Sequence, residues 1–320
     1  MAGHWLAERD GSSVTVEVPA SSANLGAGYD CLGVALALTN RIELEVRVWS
    51  RGEIELTVEG EGRNELTEDR ENRFVRGLEA ALQAARGELP EGVGWRIVMH
   101  NQIPLSRGLG SAAAATVGGI LAGNALAGEA LSTAEMLRLA CEIEGHPDNA
   151  AAALLGGFVV SANTHDGVEA IRFASPRDLR AVLFIPELRL STTAMRAALP
   201  KSVPLADAVA NLGAVAVGVA GLATGRYDLL ARLTTDRLHE RYRAKVYPQM
   251  PAMIEAARIG GALGACLSGA GSTILAFTDS MAGITRIEAA FFAAAADLDL
   301  AGRVLVVAPR NAGAKVVGRP

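Results

Sequence analysis

A strand, a glycine-rich loop and an alanine-rich helix follow one another between residues 94 and about 127. The loop and the start of the helix, residues 104–116, read PLSRGLGSAAAAT. Glycine permits positive φ angles and close backbone approach, and a helix that begins directly after such a loop presents free N–H groups and the positive end of its dipole. The stretch therefore favours an architecture of mixed strands and helices, and it is compatible with a phosphate-binding loop.

An ordinary strand–loop–helix junction with a serine N-cap is the alternative, and the loop taken alone favours it. No lysine follows Gly110, so the stretch departs from the Walker pattern. It has no third glycine at the required offset and no acidic residue that closes the unit, so it also departs from the dinucleotide fingerprint. Evidence for phosphate binding has to come from the rest of the chain.

Composition narrows the class of protein. The chain has 320 residues, of which 50% are hydrophobic and 4% aromatic, enough for two domains or one large one. The net charge is -5, and no basic run is interleaved with aromatics, which disfavours nucleic-acid binding. Cys31, Cys141 and Cys266 are far apart and odd in number, which predicts reduced thiols in a cytoplasm. The N-terminus, MAGHWLAERDG, does not have the pattern of a secretion signal.

Periodicity predicts the elements. Alternation predicts antiparallel strands with hairpin-like spacing at 14–18, 42–48 and 53–60, and helical periods mark 72–86 and, after a capping box of Ser132 and Glu135, the stretch to 145. Further on we predict strands at 156–163, 179–188 and 303–309, a strand–turn–strand at 263–278, and helices at 192–199, 205–224, 228–239, 248–262 and 284–296. The most apolar segment, 205–223, is long enough for a membrane helix, but its Ala/Gly content, Asp207 and Asn211 favour a buried core helix. We place the boundary between two domains, 1–165 and 166–320, within 163–179.

Two other stretches strengthen the phosphate-loop interpretation. PASSANLGAGYDCLGVAL at 19–36 follows a strand, and LSGAGSTILAF at 267–277 forms a Gly/Ser turn between strands. Together with the loop they resemble, in order and spacing, the three motifs of the GHMP small-molecule kinase superfamily, whose phosphate loop reads PxxxGLGSSAA. Ala112 stands where the second serine is usual, which removes one hydroxyl contact to phosphate and leaves the backbone cradle.

Four local matches are most similar to the homoserine kinase family. Residues 19–36 are close to PASSANLGPGFDxLGxAL, and EGHPDNAAAALLGG at 144–157 contains EGHPDN. STTAMRAALP at 191–200 resembles STxxxRxxLP, and DRLHERYRAKVYPQM at 236–250 resembles DxxHExYRxxxxP. The resemblance implies transfer of the γ-phosphate of ATP to the side-chain hydroxyl of L-homoserine, in threonine biosynthesis, with Mg²⁺ as cofactor.

The resemblance also implies an α+β, two-domain GHMP kinase fold. A ribosomal S5-like ATP-binding domain would occupy 1–165 and a ferredoxin-like domain 166–320, with the active site between them. A cytoplasmic enzyme without nucleic-acid or membrane partners is expected. A homodimer is compatible with the resemblance, provided that the second domain exposes an apolar face.

Homoserine is a zwitterion, so its carboxylate calls for guanidinium and its ammonium for a carboxylate. The resemblance implies Arg196 and Arg243 for the first role and Asp30 for the second. It adds three further pocket residues: Asn24, His146 and Gly269. The alternatives are that the arginines are solvated and that Asn24 and Asp30 cap turns.

The ATP site implied by the resemblance consists of Asn72, Pro104, Leu105, Ser106, Arg107, Gly108, Leu109, Gly110, Ser111 and Ala112. Asn72 would contact adenine, and the alternative is that it caps a helix. Ser111 and Glu144 are the implied Mg²⁺ ligands, and the alternative for Glu144 is a water-facing residue at a helix C-terminus.

The implied catalytic residues are Asp148, as a candidate general base, and Asn149, which would orient the hydroxyl. Phosphoryl transfer depends mainly on positioning and charge neutralisation, so a strong base is not required.

Other functions remain open: a GHMP kinase for mevalonate, shikimate or a sugar, and a non-catalytic ligand sensor of the same fold. Two guanidiniums and an acid favour an amino-acid substrate, and the presence of Ser111, Glu144 and Asp148 disfavours a sensor. A dinucleotide-binding oxidoreductase fits the glycine pattern poorly.

Overall fold

Eleven strands form two sheets in the computed structural model, which describes residues 5–48, 52–89, 92–165 and 167–318. The first sheet contains β1 (Ser13–Ala23), β2 (Leu32–Arg47), β3 (Ile54–Gly60), β4 (Gly94–Asn101), β5 (Phe158–Thr164), β6 (Gly167–Phe173) and β11 (Lys315–Gly318). The second contains β7 (Arg180–Pro186), β8 (Gly264–Leu267), β9 (Ile274–Thr278) and β10 (Gly302–Val307).

The first sheet is mixed. Its order is β11-β1-β2-β4-β3, with β5 beside β2 and β6 beside β5. β1 and β2 are antiparallel as predicted, whereas β3 lies parallel to β4, at the far edge from β1. The hairpin-like spacing expected for β2 and β3 is therefore wrong, because a helical crossover from β3 to β4 produces a parallel pair.

Four helices accompany the first sheet: α1 (Arg73–Arg86), α2 (Ser111–Leu126), α3 (Thr133–Glu144) and α4 (Asp148–Leu155). Their apolar residues and those of the sheet form one buried core. The predicted capping box is confirmed, since the Ser132 side chain accepts from Glu135 N–H while the Glu135 carboxylate accepts from Ser132 N–H. α4 is a short alanine-rich helix that is almost entirely buried and that no sequence pattern predicted.

The second sheet is antiparallel, in the order β10-β7-β9-β8. Its two longer covering helices are α9 (Met250–Ile259) and α10 (Met281–Asp297), which share a second core with the sheet. Four helices connect β7 to α9: α5 (Thr192–Ala197), α6 (Leu205–Thr224), α7 (Leu230–Leu233) and α8 (Glu240–Arg243). The strand–helix–strand–strand–helix–strand order agrees with the ferredoxin-like arrangement expected here.

The single helix predicted at 228–239 is wrong. A 3₁₀ turn (Tyr227–Leu229) leads into α7, which ends at Leu233, and α8 begins only at Glu240. Between them the Asp236 carboxylate accepts from the N–H groups of Leu238, His239 and Glu240. This side-chain cap satisfies the free donors at the start of α8, so the chain forms two short helices.

The buried core helix predicted at Leu205–Thr224 is also wrong. α6 exposes Leu205 (78%), Leu212 (70%) and Val209 (57%), and it buries its polar residues Asp207 and Asn211. Within the described part of the chain it is the one helix long and apolar enough to cross a membrane. One such helix does not by itself indicate a membrane span. The helix is inverted because its polar side chains bind the protein: Asp207 pairs with Arg241, and Asn211 binds the Ala27 carbonyl.

Sheet membership changes between Phe173 and Arg180. The predicted division after residue 165 falls inside the β5–β6 hairpin, so it does not coincide with this change. The last strand also returns to the first sheet, where Thr15 pairs with Gly318. Such long-range pairing leaves no trace in local composition, and the chain passes from one sheet to the other more than once.

Candidate active site

The carbonyl groups of residues 106–109 in the glycine loop are all held by hydrogen bonds from outside the loop. The donors are Leu190 N–H to Ser106 O (3.3 Å), Thr273 N–H to Arg107 O (3.1 Å), Ser268 Oγ–H to Gly108 O (2.7 Å) and Ser21 N–H to Leu109 O (3.1 Å). These donors come from three separate parts of the chain, two of them in the other half of the molecule. The loop backbone is therefore fixed without a ligand.

The N–H groups of the same loop remain available. Those of Gly108, Leu109, Gly110 and Ser111 have no acceptor among the residues that the structure describes. Gly110 is the N-cap of α2, with φ at 71°, and it has no side chain that could cap the helix. Consecutive free N–H groups at the N-terminus of a helix form an anion-binding cradle.

Side chains would not fit at the two loop glycines. A Cβ on Gly108 would lie 2.0 Å from the Ser268 carbonyl oxygen, and one on Gly110 would lie 2.1 Å from Ser21 Oγ. Both residues also have positive φ angles, 73° and 71°. The glycines are thus required by conformation and by close packing.

A cavity of about 250 Å³ opens beside the loop. Its lining includes Leu66, Asn72, Met99, Ser106, Ser111 and Ala112. Asn72 caps α1, since its Oδ1 accepts from Phe74 N–H (3.0 Å) and its Nδ2 donates to the Thr67 carbonyl (2.9 Å). The helix-cap alternative for Asn72 is therefore observed, and the residue faces a cavity with the apolar and polar lining of a ligand site.

Glu144 points into the protein. Its side chain is 7% exposed, and Oε1 accepts from Thr116 Oγ1 (2.7 Å) and Arg73 Nη1 (3.4 Å). The alternative of a water-facing residue is therefore wrong. No hydrogen bond joins Glu144 to Ser111 in the described part of the chain, although Thr116 and Ser111 both lie on α2.

The Asp148 carboxylate is buried at the start of α4. Its Oδ1 accepts from His146 Nδ1–H (2.7 Å) and from the Asn149 N–H (2.8 Å). The hydrogen bond to Asp148 raises the pKa of His146 above its usual value, against the opposing effect of burial. Asn149 faces the glycine loop, because its Oδ1 accepts from Ser21 Oγ (2.9 Å) and lies 3.1 Å from the place of a Cβ on Gly110.

Asp30 and Arg196 form a bidentate pair, with Nη1–Oδ2 at 2.9 Å and Nη2–Oδ1 at 2.6 Å. Asn24 supports this pair, since its Oδ1 accepts from Asp30 N–H (3.0 Å) and its Nδ2 donates to the Gly269 carbonyl (2.9 Å). The structure therefore brings these four predicted pocket residues together. The pair bond also raises the pKa of Arg196.

Arg243 binds the same Gly269 carbonyl as Asn24. Its Nη1 donates to that oxygen (2.9 Å) and to His239 Nδ1 (3.0 Å). The residue is 1% exposed, its Nε has no hydrogen-bond partner, and no carboxylate lies within ion-pair distance of it in the described residues. Burial lowers the pKa of Arg243 from its usual value. A buried guanidinium without an anionic partner is costly, so an anion bound beside Arg243 would be stabilising.

Four residues that shape the site were not predicted from the sequence: Ser21, Tyr29, Thr116 and Ser268. Three of them lie inside the motif stretches 19–36 and 267–277, so their neighbourhood was marked. Thr116 is the last residue of the stretch 104–116, five positions after Ser111 on α2, where helical period does not place the two on one face.

Known families match both halves of the chain. The model described as "GHMP kinases N terminal domain" matches residues 72–157, and "GHMP kinases C terminal" matches residues 205–297. A homoserine kinase of Caldicellulosiruptor bescii is 40% identical over 95% of this chain and 96% of that protein. One of Moorella thermoacetica is 42% identical over 94% and 99%.

Solved structures show the same fold. The crystal structure of homoserine kinase from Cytophaga hutchinsonii superposes with a TM-score of 0.84 at 30% identity, and the match covers 95% of this chain and 97% of that one. The mevalonate kinase of L. major superposes with a TM-score of 0.63 at 15% identity, over 95% and 96%. The latter likeness concerns the fold alone. The expected α+β, two-domain GHMP kinase fold is confirmed.

Proposed function

The chain belongs to the homoserine kinase family of the GHMP kinase superfamily, and from this premise we propose that it phosphorylates the side-chain hydroxyl of L-homoserine. The γ-phosphate of ATP is transferred to that hydroxyl, which gives O-phospho-L-homoserine and ADP. The reaction would serve threonine biosynthesis.

The single observation that carries the substrate assignment is the buried Arg243, which lacks a carboxylate partner. A substrate carboxylate would supply the missing charge and accept from two guanidiniums, because Arg196 and Arg243 both lie 5.5 Å from the Tyr29 ring centroid. Asp30 offers the complementary negative charge for an ammonium group. An amino acid with a terminal hydroxyl satisfies all three groups, whereas a neutral sugar satisfies none of them.

The glycine loop would hold the phosphates of ATP. Its free N–H groups at residues 108–111 would donate to the phosphate oxygens of ATP, and their fixed geometry requires no reorganisation. The adenosine would occupy the cavity that Asn72 and Ala112 line. No lysine is needed in this arrangement, because backbone donors and the helix N-terminus provide the positive potential.

Hard oxygen donors for Mg²⁺ are present. Glu144 Oε2 has no partner in the described residues, and the Ser111 hydroxyl lies at the start of α2 beside the cradle. No group of three or more His, Cys, Asp or Glu side chains in that part of the chain could hold a metal alone. We infer that Ser111 and Glu144 hold Mg²⁺ together with the nucleotide phosphates. When bound, the ion would neutralise charge on the transferred phosphoryl group.

Asp148 is the proposed proton acceptor. The homoserine oxygen forms the new bond to phosphorus, the bond from phosphorus to the β-phosphate oxygen breaks, and the hydroxyl proton passes to the Asp148 carboxylate. His146 holds one oxygen of that carboxylate. Asn149, anchored on Ser21, would orient the hydroxyl toward the loop.

A panel of acceptors tests this proposal. Purified protein with ATP and Mg²⁺ is offered L-homoserine, mevalonate, shikimate or galactose, and ADP release is measured. We expect release with L-homoserine alone. Release with mevalonate instead would favour another kinase of the superfamily. ATP binding without release for any acceptor would favour a ligand sensor.

We further propose a homodimer in the cytoplasm. The outer face of α6 presents Leu205, Val209, Leu212 and Val217 to solvent, and the helix has no exposed charged residue. An apolar face of this kind is typical of subunit contacts. Sedimentation of wild type and of Leu212→Glu tests the dimer, since the variant should sediment as a monomer.

The proposed cytoplasmic location agrees with the three free cysteines, because thiols stay reduced in a reducing compartment.

A further inference from the structure

Tyr29 lies near both guanidinium groups of the proposed acceptor pocket. The Cζ atoms of Arg196 and Arg243 are each 5.5 Å from its ring centroid. The ring also packs against His239, with 5.3 Å between centroids. Arg196 Nη1 donates to the Tyr29 hydroxyl at 2.7 Å. The ring therefore contacts both guanidinium groups, and its hydroxyl accepts a hydrogen bond from one of them.

We propose that the Tyr29 hydroxyl is a third hydrogen-bond donor for the substrate carboxylate and selects for acceptors that carry one. The inference rests on the proposed function and names a residue that the motifs leave unassigned. A phenol hydroxyl has one donor hydrogen and accepts through its lone pairs. Because the oxygen accepts from Arg196, its hydrogen is free, and no described residue accepts it.

The protonation state of Tyr29 suits this role. Burial raises the pKa of the Tyr29 phenol above its usual value, and the negative charge of Asp30 raises it further, while Arg196 and Arg243 act in the opposite direction. The hydroxyl therefore keeps its proton at neutral pH. A neutral donor adds no further positive charge to a pocket that already contains two guanidiniums.

A third donor affects selectivity more than turnover. A site built to hydrogen-bond a substrate group rejects analogues that lack the group, because its polar atoms then stay unpaired. The family pattern PGFD has phenylalanine where this chain has Tyr29. The position thus accepts the aromatic ring of either residue, and the hydroxyl can be removed without removing the ring.

The test compares L-homoserine with 3-amino-1-propanol, which has the hydroxyl and ammonium groups but no carboxylate. We expect Tyr29→Phe to raise the KM for L-homoserine roughly three- to tenfold at unchanged kcat, and to leave kcat/KM for 3-amino-1-propanol unaltered. Tyr242→Phe is the matched control, since that ring also lies near two cations, Arg241 (5.0 Å) and Lys245 (6.0 Å). Equal losses for both acceptors would overturn the inference.

A double-mutant cycle with Arg196→Lys separates direct donation from an effect through Arg196. Direct donation predicts that Tyr29→Phe still weakens L-homoserine in the Arg196→Lys background, and disappearance of the effect would refute it. Calorimetric binding of L-homoserine in the absence of ATP makes the test independent of turnover. Failure of wild type to release ADP with L-homoserine would refute the proposed function, whereas equal affinity of wild type and Tyr29→Phe would refute this inference alone.

Discussion

Arg196 binds Asp30 through both of its terminal nitrogens. The two side chains that we propose bind the charged groups of the substrate are therefore paired with each other. Their side chains are 36% and 32% exposed. An ion pair that is this accessible to water contributes little to stability, roughly 0–1 kcal/mol. A zwitterion can therefore replace each partner's charge at small cost, with its carboxylate at Arg196 and its ammonium at Asp30.

Replacing Arg196 by lysine should weaken substrate binding selectively. Lysine cannot reproduce bidentate geometry, so we expect the KM for L-homoserine to rise at least about tenfold in Arg196→Lys, with the KM for ATP unchanged. Steady-state kinetics with each substrate varied in turn measures this. Arg226→Lys is the matched control, because Arg226 forms a similar bidentate pair with Asp228 on the surface. An equal rise in both KM values would contradict the assignment.

Replacing Gly108 by alanine should abolish nucleotide binding. The new Cβ would lie 2.0 Å from the Ser268 carbonyl, so the loop has to move and its fixed carbonyls lose their donors. We expect ATP affinity, measured by calorimetry, to fall by at least about a hundredfold.

Gly87→Ala is the control for backbone strain. Gly87 has a similar φ of 79° at the end of α1, and nothing lies within 4 Å of the place of its Cβ. This variant should lose about 1 kcal/mol of stability and bind ATP normally. Normal ATP affinity in Gly108→Ala would exclude the loop as the phosphate site.

The glycine loop shows what the sequence could predict. Its strand, loop and helix lie where expected, because the signals are local: a proline, two glycines and an alanine run. Phosphate binding by the loop is predicted only through the motifs that accompany it. The donors that fix its carbonyls, such as Leu190 and Thr273, come from positions more than 80 residues away and could not be predicted from the loop.

Long-range effects also explain the errors. α6 has the composition of a core helix, and composition does not distinguish a helix buried in the core from one with an exposed apolar face. Its polar side chains point inward because Asp207 pairs with Arg241 and Asn211 binds the Ala27 carbonyl. Thr15 and Gly318 pair across almost the whole chain, which no local pattern predicts.

Asp148→Asn tests the proposed proton acceptor. The amide cannot take a proton from the hydroxyl, so we expect kcat to fall by about a hundredfold while both KM values change little. The variant should also lower the pKa of His146, which NMR titration can follow, because the hydrogen bond to the Asp148 carboxylate raises it. Asp279→Asn, on an exposed turn, is the control. Turnover close to wild type would show that Asp148 is not a base.

Glu240 should make stability depend on pH. Burial raises the pKa of Glu240 from 4.5 to about 8, against the hydrogen bond that it accepts from Leu267 N–H. The folded state keeps a proton that the unfolded state releases, so the free energy of unfolding falls as pH rises from about 4.5 to 8.

Glu240→Gln removes this fall because its amide oxygen can still accept from Leu267 and has no charge. The variant should gain on the order of 3 kcal/mol over wild type between pH 5 and pH 8, and none at lower pH. Urea unfolding across that range measures the difference. Glu255→Gln, an exposed position on α9, should show no such trend. Parallel pH profiles of Glu240→Gln and wild type would contradict the buried-acid interpretation.

The identity of the phosphate acceptor is the central claim, and ³¹P NMR of a competition reaction tests it most directly. The protein is incubated with ATP, Mg²⁺ and equal concentrations of L-homoserine and mevalonate. We predict one new phosphomonoester resonance, that of O-phospho-L-homoserine, growing in step with ADP. A phosphomevalonate resonance, or consumption of ATP without any new phosphomonoester, would contradict the account.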